Sequence, residues 1–233
     1  MSAALLLTLA LAAAEPAGYE VPRADATRAN LLEGKDASWS KAKAITWGPE
    51  KYSTAFRAQW DDAGLYPRWD ATDPDPWWTM TKRDEWLWQE EVVEIFLDID
   101  GSGTNYAEVE VSPGNVICDV RMVTPWPNKQ MDYSWNLEGL ESQVHFATDK
   151  AGNKTGWQAV AFLPWTGFKS LPSAKNLAVP PKAGQAFRFN VFRVERPNGK
   201  KDPEKDAVEV AWSKPPVESF HVPSAFRSFV LGR

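Results

Sequence analysis

The chain has a single cysteine, Cys118, so no intrachain disulfide can staple it and the fold must be held by its own core. It has no block of positive charge. Its 26 Lys and Arg stand against 31 Asp and Glu, a formal −5 spread along the chain. No basic patch is interleaved with aromatics, which excludes the electrostatic footprint of a nucleic-acid or anionic-membrane surface. Histidine is scarce, with only His145 and His221. No stretch sustains a 3.6-residue apolar period, so helix is expected to be minor. The apolar run at residues 3–14 is too short to span a bilayer, so no membrane span is expected. It ends in Ala12-Ala13-Ala14, the small-x-small pattern read by signal peptidase, although no Lys or Arg precedes it. Residues 1–14 are therefore expected to be a signal peptide, with the mature chain starting near Glu15 in the periplasm or outside the cell.

What the chain does have is length for one substantial core and an excess of aromatics, with 13 Trp and 11 Phe in 233 residues. Trp carries a large ring and a polar N–H, so some members of such a set are expected at a contact surface while most fill the core. Residues 15–31 mix Pro, Ala and charge without periodicity and read as a lead-in or tether. From Trp39 onward, short β-type runs alternate with turn residues. Phe56, Ala58 and Trp60 alternate with Arg57 and Gln59 before an Asp61-Asp62-Ala63-Gly64 turn, and Pro67 is expected to interrupt the strand that follows. Residues 92–98 form an apolar run broken by Glu94. Tyr106, Glu108, Glu110 and Ser112 alternate with Ala107, Val109 and Val111, and Pro113-Gly114-Asn115 turns the chain into Val116, Cys118, Val120 and Met122. This predicts a hairpin with one polar face. Further strands are expected at 157–163, 187–194 and 208–212, and the whole at 32–233 as a single all-β domain, an antiparallel β-sandwich.

Three constellations follow in order. The first is Trp86-Leu87-Trp88-Gln89-Glu90-Glu91-Val92-Val93-Glu94 with its strand and Asp100-Gly101-Ser102-Gly103 turn. The second is Phe162-Leu163-Pro164-Trp165 followed by Phe187-Arg188-Phe189-Asn190. The third is Ala211-Trp212-Ser213 and then Phe220-His221-Val222-Pro223. Together, over about residues 32–231, they resemble the family 9 carbohydrate-binding modules. That resemblance implies a sandwich that holds a sugar or a polysaccharide end between two aromatic rings, without catalysis, in support of polysaccharide breakdown. A glycoside hydrolase is the partner implied in trans. On this reading Trp88 is one ring and Phe220 or Trp212 the other, Glu94 hydrogen-bonds the sugar, and Glu110 and Ser112 lie on the matching polar strand face. The physics suits the use, since a pyranose offers apolar C–H faces to rings and hydroxyls to carboxylates.

Glu94 also has a structural reading, as a half-buried carboxylate paired with a core Arg. No cofactor is required, but structural calcium is a candidate. Asp98, Asp100 and Asn105 place oxygen donors around a glycine turn, and modules of this family can carry calcium. Two alternatives stay open. Glu90, Glu91, Glu94, Glu108 and Glu110 could supply a glycosidase pair. A related haem-binding redox sandwich would draw on His145, His221, Met80, Met122 and Met131.

Overall fold

Val93, Ile95 and Leu97 leave one face of their strand, while Val92, Glu94, Phe96 and Asp98 leave the other, and both sets are buried. That double burial organises the molecule. The computed structural model describes residues 18–233, so the expected signal peptide lies outside the described residues. Among those residues there are thirteen strands: β1 (Tyr19–Val21), β2 (Ile45–Trp47), β3 (Thr54–Trp60), β4 (Gly64–Thr72), β5 (Val92–Asp98), β6 (Tyr106–Val111), β7 (Ile117–Thr124), β8 (Gln130–Asp132), β9 (Glu141–Thr148), β10 (Lys154–Pro164), β11 (Ala186–Glu195), β12 (Val208–Ala211) and β13 (Arg227–Leu231). One short helix, α1 (Arg28–Leu32), accompanies several single 3-10 turns.

The larger sheet runs β1-β13-β11-β5-β6-β7-β8, with β12 beside β13 on the same side of β11. The smaller runs β2-β3-β4-β10-β9. The two sheets pack as a sandwich around Phe56, Trp69, Val93, Ile95, Val109 and Phe189, among others. Edge-on and tilted ring pairs fill it, such as Phe56 on Trp69 at 5.5 Å and Phe189 on Phe229 at 4.6 Å. The expected antiparallel pairing holds throughout except for β1, which runs parallel to β13.

Two expectations need correction, and a third, the polar-faced hairpin, needs its surroundings added. The expected tether is, from its first strand, part of the fold. Tyr19 and Val21 are buried, and the Tyr19 hydroxyl donates to the Lys43 carbonyl at 2.8 Å and accepts from the Ala58 N–H at 3.0 Å. A three-residue strand bounded by Gly18 and Pro22 is too short to announce itself by period. Nor does Pro67 break its strand. β4 runs through it, because the pairing with β10 lapses between Arg68 and Leu65, where a residue without an N–H costs no ladder bond. Finally, the hairpin's polar face does not meet water. Tyr106, Glu108, Glu110 and Ser112 are all buried under loops that lie over the outer side of the larger sheet.

Because Tyr19 is built into the core, Tyr19→Ala is expected to cost about 3–5 kcal/mol. Tyr19→Phe should cost about 1–2 kcal/mol for the orphaned backbone partners. Chemical denaturation measures both, and a neutral Tyr19→Ala would mean that this segment is a tether after all.

Candidate functional site

The outer face of the larger sheet carries a cleft of about 1130 Å³ lined by Trp86, Trp88, Glu94, Glu108, Lys129, Met131, Tyr133, Glu209, Phe220 and His221, with neighbouring loop residues. One wall is the segment before β5. Leu87 in its single 3-10 turn is buried, which throws the flanking Trp86 and Trp88 outward. Their rings stack at 5.7 Å and 23°, and Tyr133 tilts against Trp88 at 6.3 Å. Trp86 remains 54% exposed. The segment is fixed by carboxylates that accept from its own backbone. Glu91 takes the Trp77 N–H at 3.0 Å, Glu90 takes those of Thr79 and Met80, and Glu85 takes those of Thr81 and Lys82. Arg196 donates to the Trp88 carbonyl at 3.1 Å. The opposite wall is Phe220, stacked on Phe192 at 4.4 Å and 23°.

The floor is acidic and almost without donors. Glu94 on β5 lies directly opposite Glu110 on β6, with Glu108 two residues along on the same face. All three are buried, and among the described residues no backbone N–H, hydroxyl or basic side chain donates to either Glu110 oxygen or to Oε2 of Glu108, which leaves Glu108 and Glu110 to hydrogen-bond each other. Burial, and then the charge of the neighbouring acids, pushes Glu94 and Glu110 well above the carboxylate range. Burial raises Glu108 to about 7. His221 stacks on Phe96 at 4.9 Å, with Nδ1 at 3.3 Å from the Tyr106 hydroxyl and 3.8 Å from Glu108. Burial and then the Lys129 charge hold its pKa down to about 3, so it is neutral.

The structure thus brings Trp88, Glu94 and Phe220 of the expected set into one cleft. It does not bring the other three. Glu110 lies beneath the floor at 0% exposure. Ser112 is buried with its hydroxyl accepting from Val116 N–H at 3.2 Å, which pins the hairpin turn. Trp212 packs on Phe189 at 5.2 Å, on the core side of the sheet. Its parity with Val210 was the available signal, since alternation along β12 sends Glu209 to the cleft and Val210 and Trp212 to the core. Trp86, Lys129, Tyr133 and Glu209 were missed. Trp86 could have been found by its i, i+2 relation to Trp88 around an apolar anchor.

A core Arg exists, but it does not serve Glu94. Arg193, fully buried, bonds Asp73 at 3.1 Å and also Glu195, with its guanidinium over the Trp157 ring. Asp73, Glu91 and Glu195 are the three acids among the described residues whose oxygens converge within 4.8 Å. Burial, then the charges of Glu195 and Asp73, pushes Glu91 up to about 11, so its proton bridges to Glu195 beside the arginine. In the glycine turn after β5, the Asp98 carboxylate accepts from the Gly101 N–H at 3.1 Å and the Gly103 N–H at 2.8 Å, and Asp100 accepts from the Ser102 N–H at 3.0 Å. Burial and the adjacent Asp100 raise Asp98 to about 6. Asn105 enters the turn through its backbone, taking the Ser173 hydroxyl on its carbonyl at 2.6 Å. The histidines stand apart, His221 in the loop before β13 over the larger sheet and His145 on β9 of the smaller sheet, with Nε2 at 3.3 Å from the Leu32 carbonyl.

With this geometry in hand, the comparison with known proteins is direct. The family model described as "Carbohydrate family 9 binding domain-like" matches residues 33–232. The chain belongs to that family. Among curated proteins there is no match. The fold is similar to a family 9 carbohydrate binding module from Caldicellulosiruptor kristjanssonii solved with cellotriose. That protein is 17% identical, with 92% of this chain and 94% of that one covered and a TM-score of 0.63. The same organism's family 9 module solved with glucose gives 17% identity, 92% and 95% coverage, and a TM-score of 0.60. A Bacteroides uniformis protein shares the fold at 14% identity, covering 92% of this chain and all of that one, with a TM-score of 0.67.

The acid floor has a pH signature. The folded chain keeps protons on Glu94, Glu108 and Glu110 that the unfolded chain loses above about pH 4 to 5. Their contribution is therefore fully present below that range and is lost as pH rises through the folded values, about 7 for Glu108. The melting temperature should fall from pH 5 to pH 8. Glu110→Gln, which keeps a donor at this position but cannot ionise, should stabilise by about 1–2 kcal/mol at pH 8 and flatten that slope. A rising slope or a destabilised variant in calorimetry would contradict the arrangement.

Proposed function

We propose that this family 9 module binds carbohydrate without cutting it, gripping a sugar or polysaccharide end in the cleft between the Trp86–Trp88–Tyr133 wall and Phe220. The observation that carries the reading is the pairing of aromatic walls with a floor of carboxyl groups that lack protein donors. A pyranose supplies both complements, C–H faces for the rings and hydroxyl donors for Glu94 and Glu108. Hydrolysis is disfavoured by the same geometry. Glycosidase carboxyls flank the scissile bond, whereas Glu94 and Glu108 project from neighbouring strands of one sheet face and meet a ligand from the same side. Glu90 and Glu91 are occupied as backbone acceptors. No observation favours a haem site over a sugar site.

The reading extends to an exported protein that serves polysaccharide breakdown by a glycoside hydrolase acting in trans. It also includes a calcium ion at Asp98 and Asp100, whose bound charge would relieve the repulsion between these two carboxylates.

Trp88→Ala should weaken oligosaccharide binding by about 1–3 kcal/mol, and Glu94→Gln by about 1.5–3 kcal/mol, with melting temperatures held or raised. Titration calorimetry and melting on the same two variants test this. Lowered stability with unchanged affinity would retire the site. For the cation, calcium should raise the melting temperature and a chelator reverse it, with the shift abolished in Asp98→Asn. No response in the wild type would remove calcium from the account.

A further inference from the structure

We propose that the cleft selects an amino sugar, a hexosamine unit whose free ammonium sits on the Glu94 and Glu108 carboxyls; this rests on the sugar-binding reading above. A neutral pyranose hydroxyl both donates and accepts, and a site matched to it supplies both kinds of partner. Among the residues lining this cleft there is no Asn, Gln or Arg, and the Glu94 and Glu108 carboxyls rising from the floor become acceptors alone once a cation displaces their protons. Glu94 is 2% and Glu108 3% exposed, and among the described residues no backbone N–H, hydroxyl or basic side chain donates to Oε2 of Glu108 although its residue lines the cleft. A ligand group that only donates fits this floor better than one that must also accept.

Charge points the same way. Glu94, Glu108, Glu209 and Glu218 line the cleft against Lys129 and Lys214. Glu209 is already paired with Arg196 at 2.7 Å. Lys129 lies near enough to bias both floor carboxyls but forms no ion pair with either. His221, the remaining basic group at the floor, is neutral. Among the described residues neither buried acid has a charged protein counter-ion within ion-pair distance, and an ammonium between them would supply one and let them ionise. The aromatic walls suit the same guest, because the faces of Trp88, Tyr133 and Phe220 attract a cation while stacking on the sugar ring.

The test is titration calorimetry with D-glucosamine, D-glucose and N-acetyl-D-glucosamine and with their β-linked dimers. The amine is expected to bind at least ten-fold more tightly than the acetylated and neutral sugars, and the preference should collapse toward unity in Glu94→Gln and in Glu108→Gln, each checked for folding by its melting curve. A second readout is proton release. At about pH 6 an amine is already protonated, so its binding should strip protons from the floor carboxyls and make the heat depend on the buffer's ionisation enthalpy. A neutral sugar should show no such dependence. If glucose binds as well as or better than glucosamine, the amine inference falls while the sugar reading stands. If no sugar binds, both fall. A preference that survives both glutamine variants would place the amine elsewhere and likewise overturn the inference.

Discussion

Everything about this site depends on the burial of three carboxyl groups on one face of a strand pair. Glu94 faces Glu110 across the β5–β6 ladder, Glu108 lies beside them hydrogen-bonded to Glu110, and among the described residues no N–H, hydroxyl or basic side chain donates to Glu110. Such groups stay neutral or wait for a donor from outside, because an unpaired charge at this depth costs several kcal/mol. The rest of the fold can be read as the frame for that floor. The hydrophobic sandwich core fixes β5 and β6 from beneath, through Val93, Ile95 and Leu97 on one strand and Ala107, Val109 and Val111 on the other. The loops that cover the opposite face supply aromatic walls and leave an opening above Glu94 and Glu108.

The second acidic centre shows the alternative solution in the same molecule. Around Asp73, Glu91 and Glu195 the chain provides Arg193, the indole N–H of Trp157 at 3.1 Å from Asp73, and the Trp77 N–H for Glu91. There the charges are largely answered from within, and the cluster joins β11 to the chain before β5. At the cleft floor they are not answered, and that contrast separates a structural cluster from a binding site.

Much of the frame was legible in the sequence because period-two alternation is a local signal. The strands β3, β5, β6, β7, β10, β11 and β12 stand within a few residues of where Phe56, Glu94, Val109, Val120, Ala159, Phe189 and Val210 implied. What escaped was set by long-range contact. Tyr19–Val21 joins the sheet only through a parallel pairing with residues some two hundred positions later. β9 is largely polar and open to solvent, so its pattern is weak. The hairpin's polar face was legible but its burial was not, because nothing local announces that the segments around Trp88 and Phe220 will close over it. In the site, Trp88, Glu94 and Phe220 were legible through their order and chemistry. Trp212 was misplaced because an aromatic beside a family motif outweighed its parity with Val210.

The most direct test of this account is a crystal structure of the protein saturated with an oligosaccharide it binds. The account predicts density for a sugar ring stacked between the Trp88 wall and Phe220, with polar atoms of the ligand within hydrogen-bond distance of Glu94 and Glu108. A sugar bound elsewhere on the sandwich, with this cleft empty, would contradict it.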